Sequence, residues 1–163
     1  MKRHSFTLIE LLIVIAIIGV LSSLIFVAYR PVRESVRRTT AKQECVSIET
    51  ALLTYYSDFY QWPGQSGKLS NALNKLMGQN DRDKYYLEAN RSYTESNGQN
   101  YYDPWDRDYN IEISASGNTY FTPSGGANVY KKCGVWSYGG PEGDEGNFLY
   151  DAYHEGRAVT SWK

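Results

Sequence analysis

Hydrophobic positions fall along the chain in three regimes, and each predicts a different element. From Leu11 to Tyr29 the chain carries no charged side chain and is almost wholly apolar. That length approaches the roughly 20 residues a helix needs to cross a bilayer, where only a helix or a closed barrel satisfies the backbone. Beyond it the pattern turns periodic: Cys45, Ile48, Leu52, Tyr55, Tyr56 and Phe59 recur every three or four residues, as in a helix with one buried face. Val32 and Val36 fall on another side. One continuous helix is therefore predicted from Phe6 to about Tyr60, roughly 80 Å long at 1.5 Å per residue. Pro31 is expected to bend or loosen it, and Trp62-Pro63-Gly64 to end it.

The third regime is polar and broken. Leu69, Leu73 and Leu76 share a helical face, with Ser70 placed to cap it and Gly78 to stop it. The stretch from Gln79 to Gln99 is polar and reads as mostly loop. Alternation from Tyr109 to Ser114 predicts a strand, Ser116-Gly117-Asn118 a turn, Thr119 to Thr122 a returning strand, and Gly134 to Tyr138 a third. No internal repeat is present. A long helix followed by short strands gives an α+β protein with a small antiparallel sheet.

Composition narrows this only modestly. The chain has 163 residues and a net charge of −1 with both signs mixed, so nothing points to nucleic acid. Fifteen Tyr and four Trp suit a hydrogen-bonding surface outside the cytoplasm. Lys2 and Arg3 ahead of the apolar run imitate a secretory signal, but the run is too long for one, so it is read as retained. Glu10 is the anomaly. It stands inside the apolar segment, where a carboxylate is costly unless a cation or hydrogen-bond donor meets it. A snorkelling interfacial acid is the plainer account of it.

Ser5-Phe6-Thr7-Leu8-Ile9-Glu10, followed by an apolar helix, resembles the N-terminal signal of type IV pilins and type II secretion pseudopilins. The resemblance implies cleavage between Ser5 and Phe6 by a membrane-embedded prepilin peptidase, and N-methylation of the new Phe6 amine. Ser5 stands where the family usually has Gly. It also implies a partner for Glu10: the N-terminal amine of a neighbouring subunit, so that two charges costly alone in lipid cancel as a pair and set register.

Two later stretches resemble the major-pseudopilin branch. Asp103-Pro104-Trp105 is similar to its DPWG turn, with Asp106 in place of Gly, and Val135 to Gly143 is similar to its VWSxGPDG segment with one extra Gly. Ala158 to Trp162 resembles its C-terminus. In several relatives the C-terminal loop binds calcium, an ion that takes carboxylate and carbonyl oxygens. Glu142, Asp144, Glu145 and Asp151 could supply carboxylates here, and a solvated acidic loop is the competing reading. Cys45 and Cys133 are the only thiols. An oxidising compartment permits a disulfide between them, and two separate buried thiols are the alternative.

Topology carries a conflict. Arg30, Arg33, Arg37, Arg38 and Lys42 follow the apolar run while Lys2 and Arg3 precede it, which by the positive-inside rule puts the C-terminal domain in the cytoplasm. The resemblance implies the opposite: an inner-membrane protein with one pass, its domain in the periplasm, later part of a pseudopilus. Its segments are then a leader over 1–5, an assembly and membrane half-helix over 6–29, an amphipathic half-helix over 30–62, and a C-terminal globular domain over 63–163. The implied partners are further copies of itself, the prepilin peptidase, minor pseudopilins, the inner-membrane assembly platform and the membrane. No P-loop, zinc spacing or nucleophile elbow is present, and His4 and His154 are scattered, so no enzyme activity is expected. The sequence reads as a pilin-like filament subunit of type II protein secretion. A type IV pilus, competence or minor tip subunit and a membrane-anchored binding module stay open beside it.

Overall fold

The computed structural model describes residues 7–88, 92–95, 98–114, 118–123, 128–139 and 158–162. They divide into two compact units, Met1–Val36 and Arg37–Lys163, with the boundary inside the segment 30–62.

A single α-helix, α1, spans Leu8–Phe59. Its first turn is closed by Thr7 and Glu10. The Thr7 hydroxyl accepts from the Glu10 backbone N–H at 3.3 Å, and Glu10 Oε2 accepts from the Thr7 backbone N–H at 2.8 Å and the Thr7 hydroxyl at 2.7 Å. This reciprocal capping box satisfies two of the donors that a helix start leaves free. Pro31 lies inside the helix, where it has no N–H to give to the Val27 carbonyl. Helical structure continues through it. The far end falls at Phe59, next to the expected Tyr60: Tyr60 takes a left-handed φ of 54° and donates its N–H to the Tyr56 carbonyl at 2.8 Å. A non-glycine C-terminal stop of this kind has no composition signal.

In the unit from Arg37 onward, α1 turns one face to the core. Ala41, Cys45, Ile48, Leu52 and Tyr55 are buried, as the three-and-four spacing predicts, while Tyr56 and Phe59 are half-buried. Opposite them lie α2, Ser70–Leu76, and a four-stranded sheet of β1 (Gly67–Lys68), β4 (Asn110–Ile113), β5 (Cys133–Ser137) and β6 (Val159–Thr160), in the order β1-β4-β5-β6. Every pairing is antiparallel, with Ile111 opposite Val135 and Trp136 opposite Thr160. Ile111, Val135 and Val159 meet the helix face together with Leu73 and Leu76. A separate hairpin joins β2, Ser92–Glu95, to β3, Gly98–Tyr101.

Three local expectations are corrected. Ser70 does not cap α2; Leu69 holds the N-cap position without a side-chain hydrogen bond, and Ser70 is the first helical residue. The expected strand from Thr119 to Thr122 is reduced to one bridge between Phe121 and Val129, and β4 pairs instead with β5. The stretch expected to be mostly loop up to Gln99 contains β2 and the start of β3. Gly78 does follow the C-cap, at φ +98°.

Candidate functional site

Two regions bear on function, one in each unit. The first is the start of α1. From Leu8, 81% exposed, to Leu21, 54% exposed, its large apolar side chains are exposed. Bare apolar surface on this scale marks a contact with lipid or protein. Just beyond them, Ser23 gives its hydroxyl to the Val20 carbonyl at 2.7 Å, so the helix satisfies it internally. Among the described residues no helix is long and apolar enough to cross a membrane; the side chains at 24–28 are not among them.

Glu10 is the only acid in this stretch, and the capping box turns its carboxylate back toward Thr7, one residue from Phe6. Both partners of that box lie on the C-terminal side of the expected cleavage bond. Sequence reasoning singled out Glu10 and missed Thr7, although the T-x-x-E spacing of a capping box stood in plain view. Ser5 and Phe6 lie outside the described residues.

The second region is the turn after β3. Asp103, 2% exposed, accepts from the backbone N–H groups of Trp105 and Arg107, each at 2.9 Å, and from the Ser137 hydroxyl at the end of β5. Ser137 Oγ in turn accepts from the Gly139 N–H at 3.0 Å. One buried carboxylate thus ties the Asp103-Pro104-Trp105 turn to the last residue of β5. Burial pushes its pKa up, against hydrogen bonds from Ser137, Arg107 and Trp105 that favour the anion. Sequence reasoning noticed this turn by resemblance alone.

Around the helix–sheet seam further polar ties appear that hydrophobic periodicity could not reveal. The Tyr109 hydroxyl donates to Glu44 at 2.5 Å, Lys131 pairs with Glu49 at 2.8 Å, and Lys42 donates to the Thr160 carbonyl at 2.5 Å. Cys45 and Cys133 are both fully buried, and each is a free thiol in this structure. Cys45 Sγ donates weakly to the Val159 carbonyl at 3.8 Å. Burial pushes the Cys133 thiol up to about 12 and the Cys45 thiol higher still.

Glu142, Asp144, Glu145 and Asp151 lie outside the described residues. Among the described residues no group of three or more His, Cys, Asp or Glu could hold a metal ion.

Comparison with known proteins fits this geometry. The family model of the prokaryotic N-terminal methylation motif matches residues 1–26. The chain is also 31% identical over 110 residues to type II secretion system core protein G of Pectobacterium carotovorum subsp. carotovorum, covering 68% of this chain and 67% of the relative. The chain belongs to the core G pseudopilin family. No solved structure matches it. Its long N-terminal helix with a small antiparallel sheet is consistent with the pilin-like α+β fold.

Proposed function

We propose that this pseudopilin polymerises through the first half of α1 into a periplasmic pseudopilus that serves type II protein secretion. Before assembly the subunit sits in the inner membrane through residues 6–29 with its domain in the periplasm. Prepilin peptidase cleaves between Ser5 and Phe6, and the Phe6 amine is methylated. Minor pseudopilins and the inner-membrane assembly platform receive it. The subunit is structural and performs no chemistry of its own. Calcium, held by Glu142, Asp144, Glu145 and Asp151, would pin the C-terminal loop without taking part in any reaction.

The observation that carries this reading is the exposed apolar start of α1 with Glu10 fixed at its first turn. The capping box gives the carboxylate a set of donors while the subunit is alone, which lowers the cost of keeping it in an apolar setting. It also holds the carboxylate on Thr7, the residue that follows Phe6 in the sequence. A neighbour's amine then replaces or joins these donors, and a misregistered neighbour leaves two charges unpaired.

The test is Glu10→Gln in cells carrying the secretion machinery, scored by filaments in sheared fractions and by cargo in the medium. Processing at Phe6 should persist while filaments and secretion are lost. Filaments of ordinary length and abundance from the Glu10→Gln variant would refute the assembly role.

A further inference from the structure

We infer that Arg30 and Arg33 form a binding site for the phosphate of anionic phospholipid head groups, holding the unassembled subunit at the membrane surface away from its leader. The inference rests on the membrane-inserted reading proposed above.

Three observations lead to it. Arg30 and Arg33 are exposed, and three residues apart on α1 they share one face. They follow the uncharged run directly, behind Tyr29, which is 60% exposed and amphipathic in the way of side chains at bilayer interfaces. Among the described residues neither guanidinium has an ion-pair partner in its own chain. Two planar donor forks one turn apart, at the depth where an apolar helix leaves hydrocarbon, match phosphate oxygens better than they match water.

The other candidate partner is an acid on α1 of a second copy. All five acids of that helix are already engaged at home: Glu10 by Thr7, Glu44 by Tyr109, Glu49 by Lys131, Asp58 by Lys84 and Tyr86, and Glu34 by a contact of its own. A lipid phosphate needs no such exchange. This site also gives Arg30 and Arg33 a role consistent with a periplasmic domain: they grip the outer leaflet, whatever they cost in orientation signal.

The experiment uses the full chain reconstituted in phosphatidylcholine vesicles with spin-labelled phosphatidylglycerol or spin-labelled phosphatidylcholine. Electron spin resonance reads the lipid held at the protein surface. Phosphatidylglycerol should be preferred by roughly five- to thirtyfold, about a factor of five for each of the two basic residues. Arg30→Gln with Arg33→Gln should bring the ratio to about one, Arg30→Lys with Arg33→Lys should keep most of it, and high salt should erode it. Restricted lipid with no preference in the unsubstituted protein overturns the inference alone. Absence of restricted lipid of either kind overturns the membrane reading with it. A double Arg→Gln variant that loses filaments while keeping its lipid preference assigns the arginines to a neighbouring subunit and likewise overturns the inference.

Discussion

The Tyr109 hydroxyl donates to the Glu44 carboxylate at 2.5 Å, joining the residue just ahead of β4 to the polar flank of α1. Tyr109 is fully buried, and burial, followed by its hydrogen bond to Glu44, pushes its pKa well above the ordinary phenol value. The bond therefore works with a neutral tyrosine as donor. Tyr109→Phe keeps the ring and strips the carboxylate of this donor, which should cost about 1–3 kcal/mol. Trp62, Trp105, Trp136 and Trp162 all lie beyond Arg37, so denaturant unfolding followed by tryptophan fluorescence reports that unit. A double-mutant cycle with Glu44→Gln should show coupling; additive losses would mean that the bond contributes nothing.

Asp103 predicts a pH dependence of definite sign. Burial raises its pKa above the ordinary 3.8, so the folded chain holds that proton to higher pH than the unfolded chain does. Stability from this group is therefore greatest below 3.8 and falls as pH rises through the raised value. Asp103→Asn should flatten that fall while keeping the two backbone N–H bonds on its oxygen. Asp103→Ala should lower stability at every pH by about 2–3 kcal/mol, because buried donors lose their acceptor. Unfolding midpoints measured from pH 3 to about 7 decide the matter, and parallel curves for the Asn variant and the parent would refute the titration.

The two thiols should be silent in the native protein. Cys45 and Cys133 are at zero exposure, and burial favours their protonated forms, so neither offers a thiolate to a reagent. Neutral-pH labelling with a disulfide reagent should find no reactive thiol until denaturant is added, and then two. The sign of the linkage follows: above the ordinary thiol value of 9.0 the unfolded chain loses the proton while folded Cys133 keeps it to about 12. Stability contributed by this thiol is complete below 9.0 and is lost across that interval. Rapid labelling of the folded protein would contradict the burial of both.

How much of this was legible depended on whether an element announces itself locally. The stripe through Cys45, Ile48, Leu52 and Tyr55 did, because a helix repeats its buried face every turn. Strands β1 and β6, of two residues each, have no period to detect and exist only because β4 and β5 present them an edge. The pairing of β4 with β5 across an interval of 19 residues defeats a reading that looks for the nearest returning strand. Glu10 was conspicuous as a charge among apolar residues. Asp103, Glu44 and Lys42 were not, since nothing in a sequence says which exposed-looking polar residue will close a buried gap.

The last prediction comes from a position where this chain departs from its family. Asp106 stands where the resembling DPWG turn has Gly, and its φ is +62°, in the left-handed region where side chains other than glycine are strained. The backbone is held there from both sides. The Asp106 N–H donates to the Asp103 carbonyl at 3.0 Å, and the Asp103 N–H donates to the Arg107 carbonyl at 2.8 Å. The turn therefore keeps its shape whichever residue occupies the position, and an aspartate there carries the conformational cost. Aspartate bears it better than a branched residue would, because its short polar side chain tolerates left-handed backbone. Relief of roughly 1 kcal/mol is expected for Asp106→Gly, reduced by the extra freedom that glycine gives the unfolded chain. Asp106→Val should move the other way by more, since a β-branched side chain is a true outlier at positive φ. Unfolding midpoints ordered Gly above Asp above Val are the expected result. A Val variant as stable as the parent would show that the turn does not hold this conformation.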